Sequence, residues 1–409
     1  MSKSDGMRSL TLQAHEERVL KLLRVNGAMS RAELARALDL SRTTLSGLTA
    51  SLLEQGAIVV TTTDADEREG SGRPAERLAL DPGAGQYIAL EFSHVRVCVV
   101  IADAAHEIIG RARGPYAAGA GWDERLAVAF DIIDGLIAAG TDVHLNALRA
   151  VAVGVPGPVS ALGLDLREGW GRLPSGATVR DVFERRFGVP VIVDNNTRFA
   201  AIAEANSSEG AGRDIIFARL SEGIGGGVII AGRLVTGSRG LAGEIGHLRA
   251  VVEGGRPCRC GKNGCLETVA SVPAILHGCQ ERGVPVHDLA GLAAAVERED
   301  PTVLAVLDGA GAAVGAGLAG LAVVLNPEEI IIGGEILQVA PRLLDAAAAA
   351  LGREVLPVVE VCPTVVAARG GDESGAIGGI LALLHRSPLL AGYQEPTVDG
   401  RTPRRADAS

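Results

Sequence analysis

The chain has 409 residues, 47% hydrophobic and 22% charged, with a formal net charge of −10. That is enough apolar material for two or three domains and too much for disorder, and the acidic balance argues against general nucleic-acid affinity while leaving room for a local DNA-binding module. No apolar run reaches the ~18 residues of a spanning helix and no signal peptide opens the chain. A cytoplasmic protein with no membrane partner is therefore expected, whose six Cys serve a metal or stay free thiols rather than form disulfides.

Residues 1–80 carry eleven Lys+Arg and eleven Asp+Glu, so the rest of the chain carries the whole −10. A neutral head on an acidic body marks a separate N-terminal domain. Its first helix is expected over Thr11–Val25, with Leu12, Val19, Leu20, Leu22 and Leu23 as the apolar stripe and Asn26-Gly27 as the stop. Ser30 begins a second helix and Glu33, three residues on, completes a capping box. Leu34, Ala35 and Leu38 face inward, and Asp39-Leu40 makes a short turn. Ser41 caps a third helix to about Gln55 with Leu45, Leu48, Leu52 and Leu53 buried, and Gly56 ends it. Two short helices around a tight turn read as a helix-turn-helix. Arg42, Thr43, Thr44 and Ser46 sit at the end of the third helix that enters the major groove in this motif. Strands at Ala57–Thr63 and Arg77–Leu80 flank a wing whose Arg73 would reach an adjacent minor groove. The acidic wing base (Asp64, Asp66, Glu67, Glu69) suits DNA poorly, and a helical hairpin for protein contacts is the bland alternative.

From Gly85 onward strand, Gly-turn and helix alternate, which implies an α/β body with ligands at strand C-terminal ends. YIALEF and VRVCVVIAD form a hairpin, and Leu126–Ala139 an amphipathic helix. AVAVGVPGPV is a strand entering a Gly/Pro turn. Val182–Phe187 is helical, and VPVIVDNN is a strand ending in polar residues. DIIFARL and GGVIIAG are further strands. Ala310–Val324 is a helix, EEIIIGGEI a strand with a Gly turn, and Ser374–Leu384 a closing helix. Residues 386–409 are Pro-rich and polar and are expected to be disordered.

One imidazole and three thiols, His247, Cys258, Cys260 and Cys265, fall within 19 residues of GEIGHLRAVVEGGRPCRCGKNGCLE. They make one tetrahedral Cys3His set for structural Zn2+. Glu244 and Glu267 flank it, which suggests the floor of a ligand site. Cys98, Cys279 and Cys362 lack metal spacing and are expected to be ordinary buried thiols.

GVPGPV (154–159), GW (169–170), VDNN (193–196), GIGGGVI (223–229), GEIGH (243–247) and CRCGKNGCLE (258–267) together resemble the ROK family of sugar kinases and sugar-responsive repressors, within the actin/hexokinase (RNase H-like) fold. The resemblance covers 85–385. The winged helix-turn-helix over 1–80 is similar to the repressor branch. It implies zinc on His247, Cys258, Cys260 and Cys265, and sugar contacts from Asn195, Glu244, His247 and Glu267. A carboxylate suits a hydroxyl pair, and a zinc-bound His keeps its second ring nitrogen for another hydroxyl.

Two kinase features are missing. The family's phosphate turn, typically Asp-x-Gly-Gly-Thr, reads Glu91-Phe92-Ser93-His94 after Leu90: both glycines are gone, the turn is shortened, Phe92 and His94 are bulky, and Glu91 stands in for the Asp. The Asp of the Asn-Asp pair is Asn196, whose neutral amide holds a hydroxyl but is no general base near pH 7. A register shift would make Asp194 the base, at a strand end with a different facing. GIGGGV (223–228) and Gly333-Gly334 resemble the remaining nucleotide-side turns, or are structural. ATP is therefore not expected. The expected function is a sugar-responsive repressor with operator DNA and a sugar or sugar phosphate as partners, acting as a homodimer or homotetramer. The alternative is an ATP-dependent hexose or N-acetylhexosamine kinase with an added DNA-binding domain, or a bifunctional kinase–regulator.

Overall fold

The computed structural model describes residues 15–386 except 17, 21, 24–25, 55–56, 64–75, 82, 84, 104–106, 140–142, 160–177, 208–212 and 356–362. The predicted wing tip with Arg73, the GW pair, Gly56, Cys362 and the tail lie outside these residues. The chain divides into two compact units at Asp81/Pro82, the body ending at Leu383.

In the head, the described positions between 15 and 23 are helical, and Val19, Leu20 and Leu23 are buried. Helix α1 (Arg31–Leu38) starts because the Ser30 hydroxyl accepts from Glu33 N while the Glu33 carboxylate accepts from Ser30 N at 2.7 Å. It ends where Asp39 turns left-handed (φ 53°). Helix α2 (Arg42–Glu54) follows, its start held by Thr44 N donating to Ser41 Oγ at 3.1 Å. Leu34, Leu38, Leu45, Leu48 and Leu52 fill the core, whereas Leu53 is half-buried, against expectation. Strands β1 (Met29–Ser30), β2 (Ile58–Thr63) and β3 (Glu76–Leu80) form an antiparallel sheet in the order β1-β3-β2, completing a winged helix.

The body holds two five-stranded sheets. The first comprises β4 (Gln86–Phe92), β5 (Arg96–Asp103), β6 (Ile108–Pro115), β7 (Leu148–Val155) and β8 (Val191–Asn195), in the order β6-β5-β4-β7-β8. The second comprises β9 (Ile215–Leu220), β10 (Ile224–Ile230), β11 (Arg233–Leu234), β12 (Glu329–Gly333) and β13 (Thr364–Ala367), in the order β11-β10-β9-β12-β13. In each, three antiparallel strands are followed by two parallel ones, so the second lobe repeats the first. Glu91 pairs with Gly154 across β4/β7 and Arg219 with Gly333 across β9/β12, so these two residues hold equivalent positions in the two lobes. This duplicated sheet is the actin/hexokinase-like architecture the sequence implies.

Each lobe has its own core. Phe92, Val99, Ile133 and Phe183 lie in the first, and Ile216, Leu307, Val314 and Ile332 in the second. Helix α3 (Trp122–Ala138) covers the first sheet, and helix α4 (Val179–Phe187) begins on a Thr178/Asp181 capping box. Helix α5 (Asn196–Ala205) leaves β8 directly and packs on β10. The second lobe carries α6 (Glu267–Ala270), α7 (Val272–Glu281), α8 (Leu289–Glu297), α9 (Pro301–Leu325), α10 (Ile336–Val339) and α11 (Arg342–Glu354), whereas α12 (Ser374–Arg386) returns to the first sheet, where a Cβ on Gly379 would stand 3.1 Å from the Ala89 and Ala152 Cβ atoms.

Two expectations change. Helix α9 has 25 residues with Asp308 as its one charge, and among the described residues it is the one helix long and apolar enough to cross a membrane. Its Val303, Leu307, Val314 and Leu318 pack in the second core. The GIGGGV run is mostly strand β10 rather than a turn. The helix above comes so close that a Cβ on Gly227 would stand 2.4 Å from the Ala201 Cβ, so glycine here serves packing.

Candidate functional site

A cleft of about 310 Å³ opens between the two lobes, at the C-terminal ends of β4, β7, β8, β9 and β12. Asn195, Asn196, Glu244 and His247 line it, together with His94 and Arg259. Asn195 is placed by the β8–α5 junction, where it caps the helix. Its Oδ1 accepts from Thr197 N (2.8 Å) and Arg198 N (3.3 Å), and its Nδ2 donates to Gly157 O (2.8 Å). One amide N–H is left for a ligand.

Asn196 is buried, and its Nδ2 donates to Phe92 O at 2.9 Å. That carbonyl demands a donor, which an amide supplies and a carboxylate does not. Asp194 is directed elsewhere: its carboxylate accepts from Asn195 N (2.7 Å) and pairs with Arg198 Nη1 (3.2 Å), and it does not line the cleft.

Phe92 differs from expectation. Its ring is fully buried in the first lobe, edge-on to Trp122 at 5.2 Å, because it points to the core face of β4. It does not obstruct the cleft; His94 reaches it instead. The chain reverses over Ser93–Arg96, with Ser93 N donating to Arg96 O at 2.9 Å.

Glu244 precedes a single 3-10 turn (Ile245–His247) and has no hydrogen bond to its carboxylate among the described residues. Burial raises its pKa, opposed by Arg198 and Arg259. A desolvated carboxylate without a partner is suited to receive hydroxyl donors. Glu267 is already engaged. Its Oε2 accepts from Ile224 N (3.1 Å) and Arg259 Nη2 (2.9 Å), and Oε1 faces Arg259 Nε at 2.9 Å. It does not line the cleft itself but sits behind Arg259, which does.

The ligating atoms of His247, Cys258, Cys260 and Cys265 all lie within 4.8 Å of one another. Cys258 Sγ is 3.6 Å from His247 Nδ1, and Cys260 Sγ is 3.6 Å from Cys265 Sγ. A tetrahedral ion with ~2.3 Å bonds to sulfur and ~2.0 Å to nitrogen requires edges of about 3.5–3.8 Å, so the donors fit a metal. Burial, followed by hydrogen bonds from Cys260 and Cys258, pushes the Cys265 thiol up to about 12, so crowded thiolates here need a cation to ionise. Burial lowers the His247 pKa, favouring the neutral ligating ring. Nδ1 faces the cluster, which leaves Nε2 for the cleft. Cys98 and Cys279 are free and buried, and burial, then Glu91, raises Cys98 to about 11.

The nucleotide side holds features the sequence reading did not place. Glu91 Oε1 accepts from Arg219 Nη1, and Glu91 Oε2 accepts from Gly375 N at 2.8 Å. Arg219 Nη2 donates to Ser374 Oγ at 2.8 Å. This ties β4, β9 and the N-terminus of α12 together. The helix approaches so closely that a Cβ on Gly375 would stand 2.5 Å from the Glu91 carboxyl carbon. Ser221, in the β9–β10 turn, donates to Glu335 Oε1 at 2.7 Å. Partners more than a hundred residues apart leave no local signal; only Glu91, next to the altered turn, drew notice. In the head, Arg42, Thr43, Thr44 and Ser46 are all exposed at the start of α2.

The ROK family profile matches residues 126–386 and the MarR family profile residues 12–69. A glucokinase of Halalkalibacterium halodurans is 36% identical over 227 residues, 52% of this chain and 67% of that protein. The xylose repressor of Caldicellulosiruptor bescii is 27% identical over 351 residues, 81% of this chain and 85% of that protein. Among solved structures, a ROK family transcriptional regulator described as a homologue of the Escherichia coli MLC protein superposes with a TM-score of 0.75 at 26% identity, covering 93% of this chain and 98% of its own. The kinase match spans only part of the chain, while the repressor matches extend into the winged head. With a duplicated α/β body, a Cys3His cluster beside the interlobe cleft and a MarR-type winged helix in front, the chain belongs to the ROK family.

Proposed function

We propose that this protein is a DNA-binding transcriptional repressor whose body senses a sugar and performs no phosphoryl transfer. Asn196 carries the reading: its amide donates to Phe92 O where a kinase would hold a carboxylate base, beside Asn195, Glu244 and His247, which still present hydroxyl partners. The cleft retains the means to recognise a sugar without the means to deprotonate it. Glu267 contributes through Arg259 and the Ile224 N–H, fixing the wall on which the sugar rests.

His247, Cys258, Cys260 and Cys265 would hold Zn2+. The ion would fold the 247–265 loop and orient His247, so Nε2 can meet a hydroxyl. Arg42, Thr43, Thr44 and Ser46 would address operator bases and phosphates, with Arg73 on the wing. A homodimer or homotetramer in the cytoplasm would present paired heads to half-sites about one DNA turn, ~34 Å, apart. Sugar binding releases the operator if the two states differ in affinity for it.

The test combines operator titration with a coupled ADP-release assay across hexoses, pentoses and N-acetylhexosamines. The expected result is operator binding weakened by one sugar and no sugar-dependent ADP release. Turnover of a few per second or more would establish the kinase instead.

A further inference from the structure

Among the described residues of the cleft, the arginines and helix N-termini that could receive an anion are held by the protein's own side chains. Arg219 and the N-terminal Gly375 N–H of the 13-residue helix α12 both hold Glu91. Arg96 pairs with Asp372 at 2.7 Å. Arg259 pairs with Glu267 through two nitrogens at 2.9 Å. The α5 N-terminus is capped by Asn195. Ser221, in the turn that would face a phosphate, holds Glu335. Among the described residues lining the cleft, Glu244 is the one carboxylate left without a hydrogen bond. Burial also keeps His94 below its ordinary pKa, so it brings no cation near neutral pH.

We infer that the effector is an uncharged monosaccharide, and that the cleft discriminates against its phosphorylated forms because Glu91 is a built-in occupant of the anion subsite. This deepens the sugar-sensor reading above and rests on it. A phosphate entering the nucleotide side meets Glu91, Glu335 and Asp372, and the buried cation there, Arg219, is already paired with Glu91. Like charges brought together in this way oppose binding. A neutral sugar brings hydroxyls alone, which Glu244 accepts and the free Asn195 N–H donates to, with no internal pair broken. Removing the Glu91 side chain should reverse the preference. Arg219 and the helix N-terminus would then face an open pocket, the arrangement that binds phosphate.

The test uses the full-length protein. Calorimetric titration with glucose, xylose and N-acetylglucosamine is compared with glucose-6-phosphate, xylose-5-phosphate and N-acetylglucosamine-6-phosphate. At least one free sugar should bind about a hundredfold or more tighter than its phosphate. Equal or tighter binding of a phosphate overturns the inference and leaves the sensor reading standing. If neither form of any sugar binds, the sensor reading falls and the inference with it. In parallel, Glu91→Ala and the wild type are melted in inorganic phosphate and in chloride at matched ionic strength. Both proteins gain the general stabilisation that an excluded kosmotropic anion gives, and Glu91→Ala should gain clearly more than the wild type. A folded Glu91→Ala that gains no more from phosphate than the wild type refutes the claim that Glu91 fills an anion site.

Discussion

Asn196→Asp restores the residue type of a kinase base at the position where an amide now donates to Phe92 O at 2.9 Å. The change removes that hydrogen bond, about 1 kcal/mol, and sets a carboxylate against a carbonyl in a buried site, a further cost of about 1–3 kcal/mol. The loss of about 2–4 kcal/mol should lower the body's melting temperature by roughly 3–6 °C. The pH dependence identifies the cause. Burial and the facing carbonyl raise the folded-state pKa of the new Asp above its unfolded value of ~3.9. The penalty is therefore fully present above the raised folded pKa and fades as pH falls towards ~4, where the protonated acid can donate to Phe92 O again. No ADP release should appear at any pH, because Glu91, Glu335 and the tight Ser93–Arg96 turn still occupy the nucleotide side. The measurements are melts of wild type and variant from pH 4 to 8 with a coupled ADP assay. An Asn196→Asp protein that melts with the wild type at pH 8 and phosphorylates a sugar would refute the reasoning.

Cys260→Ser should abolish a stoichiometric zinc ion by elemental analysis and lower the melting temperature, while chelation of the wild type should expose Cys258, Cys260 and Cys265 to alkylation. Cys98, buried and raised to about 11, should stay unalkylated at pH 8 throughout, and its rapid labelling would contradict its burial. Arg42→Ala should weaken operator binding by about 1–3 kcal/mol if it reads a base, with sugar affinity unchanged; unchanged operator affinity would remove Arg42 from the interface. Ser30→Ala should cost the head about 1 kcal/mol. The Ser30 backbone and side-chain hydrogen bonds lower the Glu33 pKa, so their stabilisation is present above the ordinary carboxylate range and lost as pH falls through the lowered value. Melts of the head at pH 7 and pH 3 should differ less in Ser30→Ala than in wild type.

Local chemistry was legible in the sequence wherever its partners lie within a few residues. The Ser30/Glu33 capping box, the Asp39 turn and the Cys258–Cys265 knuckle are all of this kind. Helices α7, α8 and α11 and strand β6 went unread, although Ser271 and Asp288 cap the first two by ordinary rules. The apolar content of α8 and α11 is largely Ala, which leaves their helical period faint in the sequence. The Glu91–Arg219–Ser374 knot was out of reach because its members come from strands in different lobes and from a helix near the chain's end. Phe92 was misplaced for a related reason. Turn residues were read by size, whereas which side of β4 each faces is set by the strand's alternation. Glu267 shows the same limit: a flanking carboxylate suggests a free ligand, and only the fold reveals that Arg259 and Ile224 hold it.

Glu91 and Arg219 stand at matching points of a repeated unit, one in each copy. In an assembly of two identical half-chains related by a dyad, such a position meets itself, so any charge placed there would face its own sign. An attractive pair across that axis requires the copies to differ, as the two halves of one chain are free to do. The joined chain can thus hold its cleft with a bond that no symmetric ancestor of two equal halves could have made. The same asymmetry assigns the Cys3His cluster to one half alone, so that one lobe brings Glu244 and His247 to the cleft while the other supplies Asn195 and Asn196.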